Sequence, residues 1–145
     1  MILVDANLLL FAYNPAAPLH DHARRWLEGV LSKPDPVCLA WLTILAFLRI
    51  STSPRIFENP FSIDEALAVV SGWLDQPMIT VLEPGERHWA VLNGLLTTTQ
   101  ARGAVVMDAH LVALAIEHGA ILCTSDRDFV RFPGLQLLNP LQPAG

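Results

Sequence analysis

Four carboxylates stand where short apolar runs give way to polar residues. Asp5 directly follows Ile2-Leu3-Val4. Asp126 and Asp128 follow Ile121-Leu122-Cys123, across Thr124-Ser125. Asp108 opens the apolar helical stretch that leads into that same run. Carboxylates gathered in one place repel one another and raise each other's pKa unless a cation lies between them. Their hard oxygens select Mg²⁺ or Mn²⁺. Such an ion can acidify water and polarise a phosphodiester, which needs no serine or cysteine nucleophile. Thr124 and Ser125, beside Asp126, could orient a ligand or a water in support of the acids, or simply form a polar turn.

These acids are useful only if the fold brings them together. Strand-like and helix-like segments alternate along the chain. Strands are expected at Ile2–Asp5, Pro36–Leu39, Ile79–Leu82, Ala120–Cys123 and Leu135–Leu137. Helices are expected at Ala6–Tyr13, His20–Leu31, Leu42–Ser51, from Ser62 to about Leu74, at Glu86–Thr99 and at Asp108–His118, with a helical turn near Arg127–Val130. Ser62 with Glu65 has the capping-box spacing, and Gly119 suits a helix C-terminus. Trp89, Leu92 and Leu96 are expected on the buried stripe of their helix. Strands separated by helices imply parallel pairing. The fold class is therefore a three-layer α/β/α sandwich around a mainly parallel sheet of four to five strands, as one domain spanning residues 1–145.

In open α/β sheets ligands bind outside the carboxyl ends of the strands. Asp5, Asp126 and Asp128 follow strand ends directly. Asp108 joins them if Ala104–Val106 is extended and a helix starts at the aspartate. Each acid also has a purely structural reading. Asp5, Asp108 and Asp126 are good helix caps, and Asp128 suits an exposed turn.

Composition bounds the answer further. Hydrophobic residues make up 52% of the 145-residue chain and charged residues 16%. That excludes a disordered chain, and two cysteines exclude a disulfide-stapled mini-protein. No apolar stretch is long enough to cross a membrane without a charge. Met1-Ile2-Leu3-Val4-Asp5 has no basic n-region or cleavage site, so a cytoplasmic chain with reduced, buried Cys38 and Cys123 is expected. The apolar surplus points to a partner or self-association face. Net charge is −5, which by itself disfavours nucleic acid. If four of the fourteen acids share one cation, however, the rest of the chain carries only −1.

Several segments together resemble PIN-domain ribonucleases, most nearly the VapC-type toxins of type II toxin–antitoxin pairs in the mycobacterial style. They are Val4-Asp5-Ala6-Asn7; Phe47-Leu48-Arg49 with Ser53-Pro54-Arg55-Ile56-Phe57; Asp108-Ala109-His110-Leu111 with Ile116-Glu117-His118-Gly119; and Thr124-Ser125-Asp126-Arg127-Asp128-Phe129. The resemblance implies a PIN-like fold and an endoribonuclease dependent on Mg²⁺ or Mn²⁺ that cuts structured RNA of the tRNA or rRNA class. It implies a VapB-type antitoxin as partner and a homodimer. Asp5, Asp108 and Asp126 match the family's catalytic metal ligands, and Asp128 a frequent extra acid. Many members carry a glutamate just before the position of Phe47, where this chain has Ala46. A second ion would then be held weakly, with Asp128 as partial compensation.

Arg49, Arg55, Arg102, Arg127 and Arg131 are candidates for phosphate contacts, with Arg49 and Arg55 foremost. His110, near Asp108, either supports that acid or is a partly buried residue with other partners. Trp41, Phe47, Trp73 and Trp89 fall on helical apolar stripes and are assigned to core or dimer packing. Two other phosphoryl-transfer folds fit poorly. A haloacid-dehalogenase-like site needs a second acid two residues after the first, where Asn7 stands. A receiver domain needs a late lysine, and the only lysine is Lys33. A non-catalytic α/β module that binds RNA or protein through a degenerate metal site is the alternative.

Overall fold

The computed structural model describes residues 1–142. Five strands, β1 (Ile2–Val4), β2 (Val37–Ala40), β3 (Ile79–Leu82), β4 (Ile121–Cys123) and β5 (Leu137–Leu138), form one sheet in the order β3-β2-β1-β4-β5. Every pairing is parallel. Successive side chains point to opposite faces, so each strand contributes to two cores. Val4, Val37, Leu39 and Cys123 face α1 (Ala6–Tyr13), α2 (His20–Leu31), α3 (Trp41–Ser51) and α4 (Ile63–Leu74). Leu3, Cys38, Ala40 and Leu122 face α5 (His88–Thr99), α6 (Ala104–His118) and a 3₁₀ turn at Arg127–Arg131. Three layers result, as the alternating pattern implies. The first core is anchored by Phe47, fully buried and edge-on to Trp73 at 4.7 Å and Tyr13 at 6.0 Å. Cys38 and Cys123 are buried free thiols.

The strand order reverses between β1 and β4, because β2 and β3 lie on one side of β1 while β4 and β5 lie on the other. Such a switch point leaves a crevice at the strands' carboxyl ends. Three local devices set the helix ends around the sheet. Asp5 ends β1 in extended backbone and its Oδ1 accepts the Ala6 amide at 2.8 Å, which starts α1. Ser62 and Glu65 form the expected capping box of α4. Gly119, at φ 68°, closes α6 and turns it into β4.

The structure departs from the sequence expectations at identifiable places. α6 begins at Ala104, so residues 104–106 are helical rather than extended, and Asp108 lies one turn inside the helix rather than at its N-cap. Gly103, at φ 59°, supplies the break that starts the helix early. α5 begins at His88 rather than Glu86, because Glu117 draws the Gly85 and Arg87 amides into a loop at 2.8 and 3.1 Å. Gly85 permits this approach, since a Cβ there would collide with the Glu117 carboxylate. The same contact turns α5: His88 is buried while Trp89 is 69% exposed, not on the buried stripe. Trp41 is also half exposed. β2 and β5 sit one to two residues later than expected.

Candidate acidic site at the sheet switch point

The register Val4↔Cys123 sets the ends of β1 and β4 side by side. The Asp5 amide then donates to the Cys123 carbonyl at 2.9 Å, so the residues beyond each strand are neighbours. Thr124 is the hub of this junction and is 1% exposed. Its Oγ1 donates to Asp5 Oδ2 at 2.7 Å. The same oxygen accepts from Asn7 Nδ2 at 3.1 Å and from the Asp126 amide at 3.0 Å. One donor and two acceptor positions exhaust what a hydroxyl offers. The Asp5 carboxylate is therefore held by Thr124 on one oxygen and by its own helix start on the other. Asp126 in turn accepts the Asp128 amide at 2.9 Å through Oδ1, which starts the 3₁₀ turn.

Asp108 arrives from the opposite layer. It lies on α6, whereas Asp5 opens α1 on the other face of the sheet, and both reach the rim at the switch point. Asp5 and Asp108 line one open cleft of about 420 Å³ together with Leu42, Ala46, Arg49 and Met107. The electrostatics bind the four acids into one cluster. Burial raises the Asp5 pKa, hydrogen bonds from Thr124 and Ala6 pull it back, and Asp126 adds a further rise. Burial also raises Asp108, and Asp5, Asp126 and Asp128 push it further, to about 6, against a smaller opposing pull from Arg131. The sole lysine of the chain is Lys33, between α2 and β2, so no lysine stands in this cluster.

The remaining candidates divide. Arg49 lies in the cleft with Asp5 and Asp108. Arg55 is exposed on the turn after α3 and does not line that cleft. Ser125 takes part through its amide, which reaches Asn7 Oδ1 at 3.5 Å. The His110 ring meets His88 at 3.0 Å, between α5 and α6, and makes no hydrogen bond with Asp108. One contributor was not singled out from sequence, and one candidate for a phosphate contact proves to face the acids. Asn7 clamps β4 to the start of α1, and its only signal was its place in Val4-Asp5-Ala6-Asn7. Arg131 is the cation that Asp108 senses, and its Nε donates to the Asp128 carbonyl at 3.1 Å.

The residues present fit a hard divalent cation in donor chemistry: Asp5 and Asp108 offer carboxylate oxygens in one cleft, and the charges of Asp126 and Asp128 act on Asp108 from beside it. Among the described residues no three His, Cys, Asp or Glu side chains stand together as a group that could hold a metal ion. An ion of the Mg²⁺ type keeps several waters and takes only one or two carboxylates directly.

The PIN domain family profile matches residues 2–135. The ribonuclease VapC37 of Mycobacterium tuberculosis is 40% identical over 140 residues, covering 97% of both chains. Ribonuclease VapC33 of the same species is 35% identical over 142 residues, covering 98% of this chain and 99% of its own. Among solved structures, VapBC2 from Rickettsia felis bound to a promoter DNA fragment superposes with a TM-score of 0.71 at 17% identity, covering 96% of this chain and 98% of that one. M. tuberculosis VapC20, described as a sarcin–ricin loop cleaving toxin, gives 0.68 at 18% identity, covering 94% and 99%. At such identities the solved structures speak for the fold, and the family profile and the curated relatives establish kinship. The chain belongs to the PIN-domain family, in its VapC group.

Proposed function

We propose that this chain is the toxin of a type II toxin–antitoxin pair, an endoribonuclease that cleaves structured RNA with the help of Mg²⁺ or Mn²⁺. The observation that carries the reading is the meeting of Asp5 and Asp108, from opposite layers, in one cleft where Asp126 and Asp128 add their charge. The names of the full-length relatives, ribonucleases of the VapC type, support it.

Asp5, Asp108, Asp126 and Asp128 are the residues that would hold the cation. When bound, it supplies Lewis acidity, which acidifies water and offsets phosphodiester charge. The chain's own groups do the rest. Thr124 fixes the rotamer of Asp5 and offsets part of the rise that burial imposes on its pKa. Asn7 holds the Thr124 loop against α1. Arg49 supplies a phosphate contact within the cleft, and Arg55 extends the positive edge beyond α3. Leu42 and Met107 give the cleft apolar walls.

A VapB-type antitoxin, as in the solved VapBC assemblies, and a homodimer complete the proposal. Exposed Trp41 and Leu45 on α3 and Met107 on α6, at 49%, 59% and 51%, provide apolar surface for self-association. No helix among the described residues is long and apolar enough to cross a membrane, and a cytoplasmic location suits the two free thiols.

Ala46 favours one second reading, a non-catalytic RNA- or protein-binding module, because it lines the cleft without a carboxylate where the family resemblance implies a glutamate. One experiment separates the two. Purified chain is incubated with tRNA and rRNA in Mg²⁺ or Mn²⁺, and the new RNA ends are sequenced. Discrete cuts that vanish in Asp5→Asn support the nuclease. RNA left intact by the wild type, or cut equally by the variant, rejects it.

A further inference from the structure

Arg131 stands at the end of a run of hydrogen bonds that begins at Asp5. Thr124 Oγ1 donates to Asp5 Oδ2 at 2.7 Å and accepts the Asp126 amide at 3.0 Å. Asp126 Oδ1 accepts the Asp128 amide at 2.9 Å, and the Asp128 carbonyl accepts Arg131 Nε at 3.1 Å. Buried side chains pin the turn that carries the guanidinium. Phe129 and Phe132 flank Arg131 in sequence and are only 2% and 5% exposed, and the Phe132 amide donates to the Phe129 carbonyl at 3.2 Å. Of the two arginines on this turn, Arg131 alone is fastened by a side-chain hydrogen bond among the described residues, and its charge reaches Asp108.

The fastening leaves the far end of the group open. Nε is taken by Asp128, while the two terminal nitrogens make no hydrogen bond or ion pair among the described residues, and the residue is exposed. Terminal guanidinium nitrogens form the fork that grips phosphate oxygens. The fold gives Arg131 a counterpart. α3, which carries Arg49, follows β2; the turn that carries Arg131 follows β4; and β1, which ends at Asp5, lies between those two strands. The two cations therefore come from opposite sides of β1. A divalent ion among the acids offsets charge on the phosphate it touches. The next phosphate along the strand meets carboxylates there unless the chain supplies a cation of its own.

We propose that Arg131 is a positioning residue that grips the RNA phosphate next to the one being cut, on the β4 side of the acids, while Arg49 takes the backbone on the β2 side. The RNA strand then crosses the switch point from α3 to the 3₁₀ turn. The inference rests on the nuclease reading for its substrate, but the grip on phosphate is measured without cleavage.

The test compares two affinities that the proposal moves in opposite directions. Binding of unfractionated tRNA is measured in an Asp5→Asn background, where the RNA stays intact, alone and with Arg131→Gln or Arg131→Lys. Arg131→Gln should weaken binding by roughly fivefold at low salt and make the slope of log affinity against log salt shallower by roughly 0.7–0.9, the loss of one phosphate contact. Arg131→Lys keeps the charge but not the fork, so its binding should fall between the two. Mn²⁺ affinity is measured by calorimetry with the native acids. Removing a positive charge near them should tighten Mn²⁺ binding by roughly two- to threefold in Arg131→Gln, and Arg131→Lys should leave it unchanged. A strut that merely holds the turn would weaken both affinities when lost. If the native chain cuts no RNA yet the two affinities part in this way, the nuclease reading falls and the phosphate grip stands. Arg131→Gln binding tRNA as well as its parent, a parent that binds no tRNA, or Mn²⁺ binding weakened by Arg131→Gln overturns the proposal, even in a chain that cuts RNA.

Discussion

Thr124 Oγ1 donates a 2.7 Å hydrogen bond to Asp5 Oδ2 across 119 residues of sequence, and it does so from a fully buried position. This bond joins the ends of β1 and β4 at the point where the sheet reverses its order. It also fixes the acid that the account places at the centre of the chemistry.

Thr124→Val keeps the shape of the side chain and removes the hub. Asp5, Asn7 and the Asp126 amide each lose a partner. Burial of such unpaired groups costs about 1–3 kcal/mol each at most, so a clear drop in melting temperature is expected. Loss of a ligand-orienting partner should also weaken Mn²⁺ binding by roughly 10–100-fold. Calorimetric titration with Mn²⁺ checks this, and unchanged affinity would remove Thr124 from the site.

Asp108 gives a pH signature with a defined sign. Its pKa is about 6 in the folded chain against 3.8 for the free side chain. The folded state therefore binds this proton more tightly than the unfolded chain. The cost of ionising it is absent below the free value and grows as pH rises toward 6. Metal-free protein should lose stability over that window. Asp108→Asn should abolish this contribution and melt higher than wild type at about pH 7.5 in EDTA. Melting curves across pH, wild type minus variant, test it. A variant less stable than wild type at neutral pH would contradict the uncompensated-charge reading.

Divalent cations should reverse that penalty. Mg²⁺ or Mn²⁺ should raise the wild-type melting temperature through preferential binding to the folded state. Asp5→Asn and Asp108→Asn should blunt the rise. Because the carboxylates must be ionised to bind, the effect should fade below about pH 6. A wild type indifferent to both ions counts against the site.

Ala46→Glu adds a carboxylate to the cleft that Asp5 and Asp108 already line. In EDTA it should melt lower than wild type through like-charge repulsion. In Mn²⁺ it should gain more stability than wild type and bind the ion more tightly. Equal responses of the two proteins would show that position 46 does not reach the cation.

Much of this arrangement is legible in the amino-acid sequence. Short apolar runs ending in aspartate marked β1 and β4, and the rule that ligands sit at strand ends then drew Asp5 and Asp126 together. The Ser62–Glu65 capping box and Gly119 were visible because their signals are local. The start of α6 was misread because Asp108 is a strong N-cap residue by type, while the actual break is Gly103 in a left-handed backbone. The exposed Trp89 was misread because hydrophobicity alone favoured burying it. The His88 contacts to His110 and Glu117 turned the helix instead. Asn7 escaped notice because its partner lies 117 residues away and depends on the β1–β4 register, which no local pattern encodes.

The most direct test is a crystal of the chain soaked in Mn²⁺ and measured for anomalous scattering. The account predicts an anomalous peak at the switch point, coordinated directly or through water by Asp5 and Asp108, and lost in Asp5→Asn. A fully soaked crystal with no peak between these acids, or with its only peak elsewhere, would contradict it.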